Sequence, residues 1–219
     1  MKNIHRIKAI AFLFLFFYVM SANADLQSMV RETQKMGIEG NSLEMVWWIP
    51  NEYWLESFKD NPAMNDAAIE EFIDVFNDYT IVAVIDGKIG LFGGVETKKY
   101  EEIVDKLRLT IGKDVYKPIK KKELSQDLAN FFDAMKPIMA GMLGQFGSGT
   151  EFFAFEGKGK KGVRLLEPLS ETEFSITLNN TYHYRLPLGA LLPNKIDPKT
   201  KEEFPGNYKF NPFTGTKLK

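Results

Sequence analysis

The chain contains no cysteine among its 219 residues. This absence excludes thiol nucleophiles, thiolate metal sites and disulfides, so stability must come from packing a core rich in Phe, Ile, Leu and Val. Histidine is almost as scarce, because the chain has only 2. His5 lies near the N-terminus, which leaves His183 as the one imidazole available to a folded site. Copper sites that combine methionine with several histidines are therefore not expected.

Long apolar runs are also missing, apart from one near the N-terminus. That run spans residues 9–20 and is shorter than the roughly 20 residues that a membrane-spanning helix requires. Three basic residues precede it, namely Lys2, Arg6 and Lys8, and the small-x-small sequence Ala22-Asn23-Ala24 follows it. This arrangement is typical of a bacterial secretory signal peptide over residues 1–24. We therefore expect cleavage after Ala24, a mature chain without a transmembrane segment, and a location in the periplasm or outside the cell.

Charge is unevenly distributed along the mature chain. Residues 25–95 carry 4 basic and 13 acidic side chains, whereas residues 96–219 carry 21 basic and 16 acidic ones. The basic residues are dispersed rather than gathered in a stripe with interleaved aromatic rings, so nucleic acid is not an expected partner. The short basic segments 117–122 and 157–162 predict at most a weak contact with an anionic surface such as lipid headgroups.

Residues 157–162 also match the dinucleotide-binding string G-x-G-x-x-G. That motif binds a pyrophosphate only when a helix begins directly after it. Here the segment 163–168 is β-like and ends in a proline. A flexible loop between strands is therefore predicted, and no cofactor is expected.

Apolar periodicity predicts several helices. Their expected ranges are 25–40, 51–58, 65–77, a segment capped by Thr97 that carries Tyr100 to Leu107, and 125–146, with a kink at Pro137. Met135, Met139 and Met142 lie near one face of the last helix. We interpret them as core residues rather than copper ligands, with an adaptable binding groove as the alternative if that helix is exposed.

Strands are predicted where β-branched and aromatic residues cluster. Their expected ranges are 42–50, 80–85, 88–92, 152–155, 174–178 and 182–186. Asp86-Gly87 between two apolar runs favours a type I′ hairpin turn, and the basic stretch that ends at Lys122 is predicted to be irregular. Hairpins combined with helices that do not alternate with strands predict an α+β domain over residues 25–194, with a largely antiparallel sheet and packing helices.

A short pattern occurs twice in residues 195–219. Asp197-Pro198-Lys199-Thr200-Lys201 is followed, 14 positions later, by Asn211-Pro212-Phe213-Thr214-Gly215. The repeat resembles the paired knuckles of a zinc ribbon of the rubredoxin type, in which cysteines bind the metal. The residues at the ligand positions are Asp197, Thr200, Asn211 and Thr214. Because zinc prefers thiolate and imidazole donors, we expect a metal-free, ribbon-like tail.

The tail can keep its shape without zinc. Asp, Asn and Thr oxygens accept backbone N–H bonds in Asx and ST turns, as a knuckle sulfur does. Apolar contacts from Phe204, Tyr208, Phe210 and Phe213 are expected to hold the tail together. A hard-cation site on the ligand-position oxygens is disfavoured because those residues offer a single formal charge. The resemblance concerns a structural module and implies no activity.

His183 and Arg185 are the weak candidates for a catalytic site. Strand alternation places both side chains on one face of the strand predicted over 182–186. A two-residue turn at Asn179-Asn180 would set His183 opposite Ile176, and either the loop is longer or the hairpin is solvated on both sides. No serine nucleophile is identifiable near His183 from the sequence.

Two classes of function remain open. The first is a non-catalytic exported protein that binds a protein partner or a small ligand. The alternative is an envelope hydrolase that uses carboxylates of the acidic N-terminal part, with His183 and Arg185 lining the cleft. Two carboxylates about 5 to 9.5 Å apart in a pocket would favour the hydrolase. An exposed apolar patch of several hundred square ångströms beside the 125–146 helix would favour a partner surface.

Overall fold

Two large antiparallel sheets, a two-stranded sheet and a layer of helices form the part of the chain that the computed structural model describes. This part comprises residues 24–59, 61–62, 64–92, 94–159 and 162–219. The predicted α+β class is confirmed. The predicted signal peptide, residues 1–24, lies outside the described residues except for its last position. Within the described ranges, no helix combines the length and the apolar content needed to cross a membrane.

The elements follow one another in an irregular order. The helices are α1 (Ala24–Thr33), α2 (Asn51–Phe58), α3 (Asp66–Phe76), α4 (Tyr100–Ile103), α5 (Gln126–Leu143) and α6 (Gln145–Ser148). The strands are β1 (Gln34–Glu39), β2 (Ser42–Ile49), β3 (Tyr79–Ile89), β4 (Val95–Thr97), β5 (Arg108–Ile111), β6 (Asp114–Tyr116), β7 (Glu151–Glu156), β8 (Glu173–Thr177), β9 (Thr181–Arg185), β10 (Lys195–Ile196) and β11 (Glu203–Phe204). Short 3-10 turns span Lys121–Glu123 and Gly189–Leu191.

β3 is the central strand of the first sheet. β2 pairs with it from Ile81 to Lys88, while β7 and β4 share its other edge. β1 continues the sheet beyond β2 as an edge strand. Because β3 is bordered on both sides, residues 80–87 are all buried, in keeping with their nearly continuous apolar sequence.

Helices cover one face of this sheet. Trp47 of β2 packs edge to face against Tyr53 of α2, with ring centroids 5.1 Å apart. Phe152 of β7 stacks on Phe132 of α5 at 5.4 Å. Trp54 of α2 contacts aromatic rings of both α3 and α5, so the amphipathic faces of these helices meet in one aromatic core.

The second sheet covers the opposite face and has the strand order β6-β5-β8-β9. Trp48 projects from β2 toward it and packs edge to face against Phe174 of β8 at 5.0 Å. Tyr184 of β9 stacks on Phe174, and its hydroxyl donates a hydrogen bond to the Val46 carbonyl at 3.2 Å. Alternation along β2 therefore joins both layers in one core.

The predicted hairpin turn at Asp86-Gly87 is wrong, because β3 runs through both residues. Glycine is needed there for close approach, since an added Cβ would lie 2.7 Å from the Glu96 carbonyl oxygen. The chain turns only after Ile89, between β3 and β4, so the predicted strand 88–92 is partly the end of β3 and partly this loop. A separate two-residue turn at Gly40-Asn41, where Gly40 has a φ of +58°, joins β1 to β2. The single helix predicted over 25–40 is therefore too long, and α1 ends at Thr33.

Two further predictions differ from the structure. The basic stretch predicted to be irregular contains β5 and β6. The helix predicted after Thr97 is a single turn, α4. Its N-cap is Lys99, and Thr97 lies in β4 instead. The helix predicted over 125–146 is α5, which begins after its N-cap Ser125, continues through Pro137 and ends at Leu143.

Methionines of α5 fill the core beneath that helix. Met135 and Met139 are buried, which confirms their interpretation as core residues. Met142 is half-buried near the helix end. The face of α5 that carries them is therefore mostly occupied by packing against the sheet.

Candidate functional site

The C-terminal segment, residues 195–219, begins with a turn organised by Asp197, and we use the name ribbon for this segment. One carboxylate oxygen of Asp197 accepts hydrogen bonds from the backbone N–H groups of Lys199 at 2.7 Å and Thr200 at 3.2 Å. The Asp197 carbonyl accepts a bond from the N–H of Lys201 at 2.9 Å. Lys201 has a φ of 67° and closes the turn. The turn is therefore an Asx turn, organised by the aspartate side chain.

A second turn repeats these hydrogen bonds around Asn211. Its side-chain oxygen accepts bonds from the N–H groups of Phe213 at 2.8 Å and Thr214 at 3.3 Å. The Asn211 carbonyl accepts the N–H of Gly215 at 2.8 Å, and Gly215 has a φ of 70°. The sequence repeat is therefore also a repeat of backbone geometry.

The two turns meet at the Asp197 carboxylate. Its second oxygen accepts hydrogen bonds from Asn211 Nδ2 at 2.6 Å and from the Thr214 hydroxyl at 3.4 Å. The Thr200 hydroxyl does not join them, because it donates to the Glu202 carboxylate at 2.8 Å. Asp197 and Asn211 are both fully enclosed. A carboxylate and its donors thus fill the space between the turns.

The Asp197 carboxyl is held in its ionised form by these contacts. Burial alone raises its pKa, but hydrogen bonds from Asn211, from the N–H groups of Lys199 and Thr200, and from Thr214 outweigh burial. The pKa of Asp197 therefore lies below its ordinary value. The charged form of Asp197 is therefore the form that these donors stabilise.

The predicted aromatic core of the ribbon is wrong for three of its four members. Phe204 is buried, as is Leu218. Tyr208, Phe210 and Phe213 are exposed, and Phe213 retains 86% of its accessible surface. The hydrogen bonds around Asp197 take over the role assigned to these rings, which leaves the aromatic side chains free to contact other molecules.

Glu32 of α1 fixes the ribbon to the rest of the molecule. Its carboxylate accepts hydrogen bonds from the N–H groups of Gly189 and Ala190, both at 2.8 Å, and from Asn207 Nδ2 at 3.2 Å. Asn207 also donates to the Pro187 carbonyl at 3.0 Å. Gly189 permits this close approach, because an added Cβ would lie 2.4 Å from Asn207 Oδ1. One carboxylate thus joins α1, the 3-10 turn and the ribbon.

A cleft of about 750 Å³ lies between the ribbon and the second sheet, and we call it the sheet–ribbon cleft. The sheet and its flanking segments contribute Glu171, Thr172, Glu173, Arg185, Leu186, Pro187 and Leu192, and the ribbon contributes Lys195, Gly206, Asn207, Tyr208 and Lys209. Lys195 Nζ donates to the Tyr208 carbonyl at 2.9 Å and so fixes the ribbon side of the cleft. Both signs of charge and one exposed aromatic ring face the same space.

A shallower depression of about 570 Å³ lies over the outer face of the second sheet. His183 lines it beside Ser175 and Thr110, which are its neighbours across β8 and β5. Arg185 and Glu173 line both this depression and the sheet–ribbon cleft. They form an ion pair at 2.9 Å whose side chains are 83% and 70% exposed. The two predicted residues, His183 and Arg185, are therefore brought to one continuous surface.

The pairing of β8 with β9 corrects the predicted register. Thr177 pairs with Thr181, so the loop has three residues, 178–180, and the longer-loop alternative is correct. His183 consequently lies opposite Ser175 rather than Ile176. In the described structure no hydrogen bond joins His183 to Ser175, and both belong to an open sheet face. This arrangement lacks the enclosed, oriented pair that nucleophilic catalysis requires.

Two acidic side chains are buried side by side on the first sheet. Glu44 and Asp86 are cross-strand neighbours, 4% and 5% exposed. Glu44 accepts hydrogen bonds from the N–H and Nδ2 of Asn179 at 3.1 and 2.6 Å, and from the N–H of Asn180 at 3.2 Å. Asp86 accepts bonds from Asn179 Nδ2 at 2.9 Å and from Lys98 Nζ at 2.7 Å. Both carboxylates are thus occupied in holding the β8–β9 loop.

Gly37, on the edge strand β1, leaves room for a side chain of the β8–β9 hairpin. Gly37 is the cross-strand neighbour of Glu44, and an added Cβ there would lie 2.6 Å from the Tyr182 hydroxyl. Burial, and secondarily the negative charge of Glu44, raise the pKa of Tyr182 to about 12. We call Gly37, Glu44, Asp86 and Lys98 the polar row. It receives the tip of the β8–β9 hairpin.

The remaining sequence motifs lie outside the sheet–ribbon cleft. In the described residues, no cluster of three or more His, Asp or Glu is arranged to hold a metal ion. The G-x-G-x-x-G segment leads from β7 into an isolated bridge between Lys158 and Arg164, and no helix follows in the part that the structure describes. Gly157 is needed for packing, because an added Cβ would lie 2.6 Å from the Tyr79 nitrogen.

Exposed apolar side chains occur at the end of the first sheet. Leu91 and Phe92, in the loop between β3 and β4, are fully exposed. Leu143, at the end of α5, is also exposed. Single exposed apolar residues do not by themselves make the continuous patch that would favour a partner surface.

Comparison of the chain with protein-family models, with curated proteins and with solved structures finds no match. The function is therefore inferred from the geometry of the sheet–ribbon cleft. Sequence reasoning missed Tyr208, Lys195 and Asn207 as cleft residues, because they reach Arg185 only through the docking of the ribbon. It also missed Ser175, which the three-residue loop would have placed opposite His183.

Proposed function

We propose that this chain is an exported, non-catalytic binding protein that takes a small polar ligand or a short peptide in the sheet–ribbon cleft. The observation that carries the proposal is the cleft itself, about 750 Å³ in volume and lined by charges of both signs. Small molecules bind preferentially in concave sites where two structural modules meet. A cleft of this size accommodates a ligand of several residues or sugar units.

The lining favours a ligand that carries both signs of charge. Its cations are Arg185, Lys195 and Lys209, and its carboxylates are Glu171 and Glu173. The Tyr208 ring is 41% exposed and supplies a flat apolar surface against which a ligand can stack. A peptide segment, with its terminal charges and its amide groups, matches this combination best.

The hydrolase alternative gains no support from the buried carboxylates. Glu44 and Asp86 are neighbours, but donors from Asn179, Asn180 and Lys98 occupy both of them. An inverting or retaining glycosidase needs two carboxyl groups that face a bound sugar across open space. The polar row therefore supports a structural role.

We also infer that the ribbon is a zinc ribbon in which hydrogen bonds have replaced the metal. The repeated turns around Asp197 and Asn211 support this inference, since each side-chain oxygen accepts two backbone N–H bonds. The direct bond between the two residues supports it as well. In this role the ribbon forms one wall of the ligand site.

Export is part of the same proposal. The basic start, the apolar run over 9–20 and the Ala22-Asn23-Ala24 sequence support cleavage after Ala24. N-terminal sequencing of protein recovered from the cell envelope tests this, and we expect the mature chain to begin at Asp25. A chain that retains residues 1–24 would contradict export by cleavage.

The cleft is tested by a thermal-shift screen of the mature chain against short peptides, amino acids and oligosaccharides. We expect at least one peptide to raise Tm by mass action, and expect Tyr208→Ala and Arg185→Glu to abolish that shift. Phe213→Ala is the matched control, because Phe213 is an exposed ribbon aromatic that does not line the cleft. A shift that survives both cleft substitutions, or is lost equally in the control, would show that the ligand binds elsewhere.

A further inference from the structure

The outer edge of β1 is open in the described structure. β1 pairs with β2 on one side and is the terminal strand of the first sheet. Met36 and Ile38 on this strand are 58% and 65% exposed. An open edge with exposed apolar residues is a template for another strand, which natural proteins prevent with proline or with charged side chains that repel a second copy. β1 carries no proline, and its two charged residues, Lys35 and Glu39, have opposite signs.

The backbone groups of Met36 and Ile38 point away from the sheet. Gly40-Asn41 is a two-residue loop, so the pair that closes it, Glu39 with Ser42, is a hydrogen-bonded pair. Such pairs alternate along an antiparallel ladder, which makes Gly37 with Glu44 the next one. The N–H and C=O groups of Met36 and Ile38 consequently face outward and are available to another strand.

The sequence of β1 is complementary to itself when two copies run antiparallel about Gly37. In that register Met36 lies opposite Ile38 of the second copy, so the exposed apolar residues pair with each other. Lys35 lies opposite Glu39 of the second copy, so opposite charges meet twice across the twofold axis. Gly37 lies opposite itself and adds no side chain at the axis. A shift of one residue in either direction loses both matches.

We propose that this protein forms a twofold-symmetric dimer through β1, in which the first sheets of two copies join edge to edge. The outward backbone groups of Met36 and Ile38 form the hydrogen bonds of the new ladder. An interface with twofold symmetry brings the same surface of both subunits together, and β1 meets this requirement in charge and in apolar pattern. The tip of the β8–β9 hairpin rests over Gly37 on one face of the strand, where an added Cβ would meet the Tyr182 hydroxyl.

Sedimentation velocity of the mature chain over a range of concentrations tests the proposal. We expect a species of twice the chain mass, and expect Lys35→Glu and Glu39→Lys each to weaken dimerisation about tenfold, because each change places like charges opposite one another twice. The double variant Lys35→Glu with Glu39→Lys restores opposite charges across the axis and is expected to restore the dimer. This rescue separates pairing across the interface from loss of the Lys35 contact with the Tyr184 ring at 5.6 Å.

Ile38→Pro provides a second test that acts through the backbone. Proline removes only an N–H that faces outward, so the β1–β2 ladder keeps its hydrogen bonds while the edge is blocked. We expect a folded monomer by sedimentation and circular dichroism. Val115→Pro is the control, because Val115 is an exposed apolar residue of the other sheet and its substitution should leave the dimer intact. A monomeric wild-type chain, or a dimer that survives Ile38→Pro and both single charge reversals, would overturn the proposal.

Discussion

Replacing Glu44 by glutamine tests whether the polar row holds the two sheets together. The glutamine side chain has the same shape but only one acceptor oxygen. Glu44 uses both oxygens, one for the N–H and Nδ2 of Asn179 and the other for the N–H of Asn180. Whichever way the amide lies, its NH₂ group faces at least one donor. The β8–β9 loop should therefore detach in part from the first sheet.

The expected cost follows from the hydrogen bonds that the substitution breaks. One donor left unpaired inside the protein costs about 1–3 kcal/mol, and the remaining bonds lose the added strength of a charged acceptor. Removing the charge of Glu44 relieves little repulsion, because Lys98 lies 2.7 Å from the neighbouring Asp86 and neutralises it. We expect Glu44→Gln to lower the free energy of unfolding by about 2–4 kcal/mol, which corresponds to a Tm lower by about 5–12 °C for a domain of this size.

Urea unfolding and calorimetry at neutral pH measure this effect. Glu96→Gln is the matched control, because Glu96 lies on β4 of the same sheet and is exposed; its change should be within about 0.5 kcal/mol. Hydrogen exchange at the Asn179 and Asn180 amides should also accelerate in Glu44→Gln alone. Equal stability of the two variants would refute the reasoning. A stabilised Glu44→Gln protein would mean that repulsion between Glu44 and Asp86 exceeds the hydrogen bonding.

Other predictions concern the ribbon and the glycine-rich loop. Asp197→Ala removes the acceptor shared by both turns, so limited proteolysis should cut within residues 195–219 while the rest of the chain stays resistant; equal resistance to wild type would contradict this. The pKa of folded Asp197 lies below the ordinary value of 3.8. The stability that its charge gives to the ribbon should therefore be complete above pH 3.8 and be lost as the pH falls through the lower, folded value. Amide exchange at Lys199 and Thr200 measures this loss, and protection that is already lost near neutral pH would contradict the prediction. A variant with cysteine at the four positions that correspond to zinc ligands should bind one zinc ion, because it restores the thiolate donors. Native mass spectrometry should show this ion in the variant and none in wild type. A variant that binds no zinc would contradict the ribbon inference. The four substitutions are Asp197→Cys, Thr200→Cys, Asn211→Cys and Thr214→Cys. Gly157→Ala should destabilise the fold by about 1–3 kcal/mol, because its Cβ meets the Tyr79 backbone, while Gly94→Ala, which has open space around it, should not.

Local sequence signals predicted the longer helices and strands but missed β1, β5 and β6 and placed a turn inside β3. Asp86-Gly87 has the composition of a hairpin turn, yet each residue serves a different purpose. Gly87 allows the close approach of Glu96, and Asp86 binds Lys98 and the β8–β9 loop. Both reasons lie outside the local pattern, because Glu96 and Lys98 meet β3 only after the chain has turned, and Asn179 lies 93 positions away from Asp86. The turn at Gly40-Asn41 belongs to a different hairpin, β1–β2, and has the glycine that a type II′ turn requires. It was missed because the polar helix pattern before it extended the predicted helix too far.

The candidate site was predictable only in its separate parts. The repeated turns around Asp197 and Asn211 are visible in the sequence, because each depends on residues two or three positions away. The cleft is not visible, because it exists only where Glu32 anchors the ribbon against the 3-10 turn. The neighbours of His183 depend on whether the β8–β9 loop has two or three residues, which local propensity does not determine.

Native mass spectrometry of the protein recovered from its own cell envelope tests the binding function most directly. We predict a mature chain that begins at Asp25, carries no zinc, and retains an added small-molecule or peptide mass that Tyr208→Ala and Arg185→Glu remove while Phe213→Ala does not. A wild-type chain with no added mass under the same gentle conditions, or a mass retained equally by all of these variants, would contradict ligand binding in the sheet–ribbon cleft.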